Sequence, residues 1–108
     1  MALLNTIRNV INELSDWLLY SRPTSDTERE RAKRVLFLMN RLERLLHELT
    51  LDEVKLSTLP LRGQIQDLEG LSARISKTAK DMSTANDVAT IAASAITIVA
   101  GVVGLLGG

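Results

Sequence analysis

Ser83-Thr84-Ala85-Asn86-Asp87 is the stretch on which the fold turns. Leu61, Leu68, Ile75, Met82, Ala89, Ile96 and Val103 recur every seven residues on both sides of it. Read straight through, they describe one helix from Leu61 to Leu106, about 70 Å long at 1.5 Å per residue. Read with a break, Thr84 followed three residues later by Asp87 has the spacing of a capping box, which starts a new helix. The break is the preferred reading. A continuous helix outreaches the two helices before it and leaves its apolar end unburied within a monomer.

Working outward, the N-terminal segment from about Ala2 to Tyr20 places Leu3, Ile7, Val10, Leu14 and Trp17 at alternating steps of four and three. That is a heptad seam on an amphipathic helix. Ser21-Arg22-Pro23 ends it, because proline disfavours the helical conformation in the residue before it. The next segment opens with Ser25 and Glu28 in capping-box spacing. It carries Ala32, Val35, Met39, Leu42, Leu46 and Leu49 on one face, widened by Leu36, Leu38 and Leu45. Glu30 and Arg34 are spaced for an ion pair one turn apart. Asp52 to Leu56 reads as a short helical turn, and Pro60 suits the first turn of the following helix. The expected fold is all-α: an antiparallel helical bundle of three to four helices with coiled-coil-like heptad packing and an apolar, Gly/Ala-rich C-terminal helix. Residues 1–87 form the amphipathic bundle and 88–108 the apolar helix, in one folding unit.

Composition narrows the function. The 108 residues carry 13 basic and 13 acidic side chains, so the basic excess of a nucleic-acid binder is missing. There is no cysteine for disulfides or thiolate metal sites. His47 is the single histidine and has no metal-ligand spacing around it. Asp52 and Glu53 are adjacent where a loop is expected, which defines no acid/base pair. No phosphate loop or dinucleotide fingerprint occurs. The expectation is a non-enzyme without cofactor or metal. The first residues lack a basic leader and an unbroken apolar block, unlike a signal peptide.

The run Val88 to Leu106 contains nineteen residues and no charge. As a helix it measures roughly 28 Å, close to the roughly 30 Å hydrocarbon core of a bilayer. Small residues crowd it. Ala89, Ala93, Thr97 and Gly101 form one row at four-residue spacing, and Ala100, Gly104 and Gly108 another. Such rows let helix backbones approach closely in membranes. In water each glycine weakens an isolated helix by about 1 kcal/mol relative to alanine. Ala89, Ala93, Thr97, Ala100, Gly101, Gly104, Leu105 and Leu106 are therefore the expected membrane or oligomer contact.

Thr90, Ser94 and Thr97 either line a polar seam between such helices or bond back to the preceding turn. Arg74, Lys77 and Lys80 precede the run, as positive residues do on the cytoplasmic side of a span. Trp17 and Tyr20 are expected to close one end of the core. The expected function is membrane interaction, entered from the cytoplasmic side or from a soluble form. The apolar helix inserts and self-associates in the manner of pore-forming or permeabilising bundles. The partners are membrane lipid, further copies of the chain, or a partner helix, with no nucleic acid. The alternative is a soluble coiled-coil assembly subunit whose tail is buried in a homo-oligomer or against a partner.

Overall fold

The helical pattern of the sequence becomes five α-helices in the computed structural model, which describes residues 1–107. They are α1 (Ala2–Ser21), α2 (Asp26–Leu51), α3 (Glu53–Leu56), α4 (Arg62–Lys77) and α5 (Ala85–Gly107), with one turn of 3-10 helix at Met82–Thr84. No strand occurs among the described residues. Gly108, the last member of one small-residue row, lies outside them.

Local chemistry accounts for the helix ends. α1 stops where Arg22 takes a left-handed φ of 45°, ahead of Pro23. α2 starts at Ser25, whose hydroxyl accepts from the Glu28 N–H at 3.1 Å. The box closes one residue early. The Glu28 carboxylate accepts from the N–H of Thr24 at 2.8 Å and from its hydroxyl at 2.9 Å. These bonds, the backbone one foremost, hold the Glu28 carboxyl below its ordinary pKa of 4.5. The expected Glu30–Arg34 pair is not formed; Glu30 instead pairs with Lys33 at 3.2 Å. Both spacings bring side chains together on a helix surface.

The chain does break before its last helix, and earlier than Ser83. α4 ends at Lys77, and the connection is held by Asp81, which accepts from the Ser83 N–H at 2.9 Å and from the Ser83 hydroxyl. The Thr84–Asp87 capping box does not start α5. The Thr84 hydroxyl is engaged elsewhere, donating to the Ala79 carbonyl at 2.7 Å and accepting from the Trp17 indole N–H at 3.0 Å.

One core joins all the helices, including α5, so the two expected segments share a single apolar cluster. Leu3, Ile7, Val10, Leu14 and Trp17 of α1 are fully buried, as are Val35, Leu42 and Leu49 of α2. α1 packs against α2 and α4; α5 packs extensively against α2 and less so against α4. The direction of the helices follows from two end contacts. The Lys55 ammonium donates to the Leu106 carbonyl at 2.6 Å, so α5 finishes beside α3, where α2 has just ended. The Trp17 indole donates to the Ala79 carbonyl at 3.2 Å, so α1 finishes beside the end of α4. Neighbours α2 and α5 thus end together, as do α1 and α4. The chain reverses between α1 and α2 and between α4 and α5. An antiparallel ring alternates at every contact; this one does not, because the α3 segment carries the chain across the core. The assembly measures 46 × 22 × 17 Å.

Candidate contact surface on the C-terminal helix

α5 is the one described helix long and apolar enough to cross a bilayer, and less than half of its most apolar stretch is buried. Core helices of soluble proteins have the same character, so the arrangement of its residues matters more than its length. That arrangement is sided by size. Val88, Ile91, Ile96, Val99, Val102 and Leu106 are buried, with Ala85, Ala89, Ala92 and Ala95 between them. Thr90, Thr97, Ala100, Gly101 and Gly104 face solvent, and Ala93 and Ser94 are half-buried beside them. The sequence pattern reads as apolar all round. In the fold most of the bulky side chains and a row of alanines enter the core, while the glycines, Ala100 and two threonines are left outside.

The expected contact residues divide accordingly. Ala93, Thr97, Ala100, Gly101 and Gly104 come together on one outward strip. Ala89 and Leu106 do not join it; they are buried in the core. Leu105 is 53 % exposed and stands at the edge, over a shallow groove shared with Gly63, Gln64 and Asp67 of α4. A Cβ built on Gly101 or Gly104 meets nothing within 4 Å. No packing within this chain calls for glycine at either position, yet each costs about 1 kcal/mol of helix stability relative to alanine.

The strip is weakly polar. Thr90 donates to the Asn86 carbonyl at 2.9 Å, Ser94 to the Thr90 carbonyl at 3.1 Å, and Thr97 to the Ala93 carbonyl at 3.1 Å. Each hydroxyl proton is spent on the preceding turn, which lowers the cost of placing these residues in an apolar medium. From Val88 to Gly107 no charge interrupts the face.

Other candidate residues fall into place around this helix. Trp17 is fully buried, with its N–H satisfied, and closes one end of the core. Tyr20 is exposed instead, with the Lys80 ammonium 5.9 Å from its ring centroid. Arg74, Lys77 and Lys80 are exposed. His47 is exposed, and no group of His, Cys, Asp or Glu suited to a metal occurs among the described residues. The basic, aromatic-bearing outer side of α2 escaped the sequence reading. Arg34, Arg41 and Arg44 were visible as outer charges, but the signal that Phe37 stands among them was the spacing of three, four and three. Comparisons of the chain with protein-family models, with curated proteins and with solved structures gave no match.

Proposed function

We propose that this protein acts on membranes through α5, with α1, α2 and α4 forming the bundle that carries α5 in a soluble form. In this reading α5 leaves α2 and α4, enters the bilayer from the cytoplasmic side, and associates with further copies through Ala93, Thr97, Ala100, Gly101 and Gly104. Permeabilisation is the proposed result, and no catalysis is involved. The single observation that carries the reading is the outward strip. It runs uncharged along a bilayer-length helix, and its glycines have no packing role in the monomer. Exchanging the core for lipid keeps the bulky face of α5 in apolar surroundings, so the cost falls on the helices left behind. The Lys55–Leu106 and Trp17–Thr84 hydrogen bonds are the latches that release must break.

The alternative occupant of the strip is protein in water: a second copy or a partner helix in a soluble assembly. The buried half of α5 favours it, since that half is already sheltered without lipid. Vesicle leakage separates the two. Gly101→Leu with Gly104→Leu fills open space and leaves the core untouched, so folding is retained. The membrane reading expects the wild-type chain to release an entrapped dye, and the double variant to lose both leakage and oligomers in lipid. Unchanged leakage and oligomer size in the variant contradict the contact. A wild-type chain that oligomerises in buffer and ignores vesicles selects the soluble assembly.

A further inference from the structure

The outer side of α2 differs in kind from that of α5. Arg34, Phe37, Arg41 and Arg44 fall on one side of the helix, turned away from the buried Val35, Leu42 and Leu49. Phe37 is 60 % exposed, and its neighbour Leu36 is partly exposed. Lys33, Arg34, Arg41 and Arg44 surround Phe37 on this side, and Glu30 and Glu48 stand at its two ends, one turn from Arg34 and Arg44. Among the described residues the only ion pairs are Arg29–Asp26 and Lys33–Glu30. Among the described residues Arg34, Arg41 and Arg44 form no ion pair with a carboxylate. The adjoining helix α5 brings none within reach along its length, since Asp87 in its first turn is its only charged side chain.

We infer that this face of α2 docks the protein onto an anionic phospholipid surface. Guanidinium groups pair with phosphate through two parallel hydrogen bonds. An aromatic ring among them enters the headgroup boundary, where amphipathic helices seat their apolar residues. The face is a single convex helix side, and a fluid headgroup layer fits it without a shaped counterpart. The inference rests on the membrane reading above and specifies its lipid. α2 is the helix against which α5 packs most extensively, so docking through α2 holds α5 directly beside the docked helix.

Flotation of the full chain with vesicles of phosphatidylcholine alone, or mixed with phosphatidylglycerol, tests this. The wild-type chain floats with the mixed vesicles only, and added salt releases it. Arg41→Glu with Arg44→Glu weakens binding at least about 30-fold, at roughly fivefold per cation lost near an anionic surface. Arg41→Gln with Arg44→Gln weakens it in the same direction, and circular dichroism checks that both variants stay helical. Phe37→Ala weakens binding several-fold and leaves the salt dependence in place. Equal binding to both vesicle types, full binding by the charge variants, or preference for polyglutamate or duplex DNA over the mixed vesicles overturns the inference. Salt-sensitive binding without dye leakage supports docking and counts only against insertion of α5. Leakage from pure phosphatidylcholine, undiminished in the charge variants, overturns docking and leaves insertion standing.

Discussion

α2 and α5 press against each other along most of their lengths, and they solve the problem of the outer face in opposite ways. Both bury large aliphatic side chains: Val35, Leu42 and Leu49 on one, Ile91, Val99 and Val102 on the other. Outside, α2 is hydrated by Arg34, Arg41, Arg44 and Glu48, the ordinary behaviour of a surface helix. α5 offers Thr97, Ala100, Gly101 and Gly104, which neither attract water strongly nor fill space. The inner faces make these helices equal partners in stability. The outer faces make them unequal in what they can meet. α2 is built for charge, and α5 for close approach by an apolar neighbour.

The largest effects come from the shared interior. Leu42→Ala and Ile91→Ala remove fully or nearly fully buried side chains from the two sides of the core. Each is expected to cost about 2–5 kcal/mol of unfolding free energy in urea titration. If Ile91→Ala costs nothing while Leu42→Ala is severe, α5 is not an integral part of the core.

The outer faces are expected to respond in opposite directions. Gly101→Ala with Gly104→Ala adds methyl groups into open space and raises stability by about 1–2 kcal/mol, read as a higher thermal midpoint. Arg41→Ala changes it by less than about 0.5 kcal/mol. A destabilised glycine variant shows that those positions are already in contact with something in solution, and analytical ultracentrifugation then identifies a second copy.

The smallest effect belongs to the start of α2. The Glu28 carboxyl is held below 4.5 by Thr24, so its bonds favour the fold at neutral pH. That contribution is present above the ordinary carboxylate value and is lost as the pH falls through the lowered folded value. Glu28→Gln is therefore slightly less stable than wild type at neutral pH, and the gap closes in acid. A gap that persists in strong acid assigns the effect to packing instead of charge.

The sequence carried much of this arrangement and concealed a specific part. The α1 seam was legible because each member is large and the spacing strict, and Leu3, Ile7, Val10, Leu14 and Trp17 are all fully buried. The seven-residue recurrence from Leu61 to Val103 runs through a break that the sequence reading preferred but placed a few residues late. Between Lys77 and Ala85 lie seven residues of connection, so the count survives a reversal of the chain. The neighbour relations were not legible, since loop lengths do not say that the α3 segment crosses the core. The sidedness of α5 was hidden because alanine, glycine, valine and isoleucine all count as apolar. Hydropathy does not separate buried Val99 from exposed Ala100 beside it, nor buried Ala92 and Ala95 from Ala100. The same pooling hid that Ala89 and Leu106 face inward, away from the outward strip.

The account depends on α5 changing its surroundings when a bilayer is offered. The chain has no cysteine, so Thr97→Cys gives a single attachment point for an environment-sensitive fluorophore on the exposed strip. With phosphatidylglycerol-containing vesicles, the account predicts a blue-shifted emission that quenchers carried on the lipid chains extinguish. Emission that stays that of a water-exposed label, unaffected by chain-bound quenchers while the protein is held on the vesicles, contradicts insertion of α5.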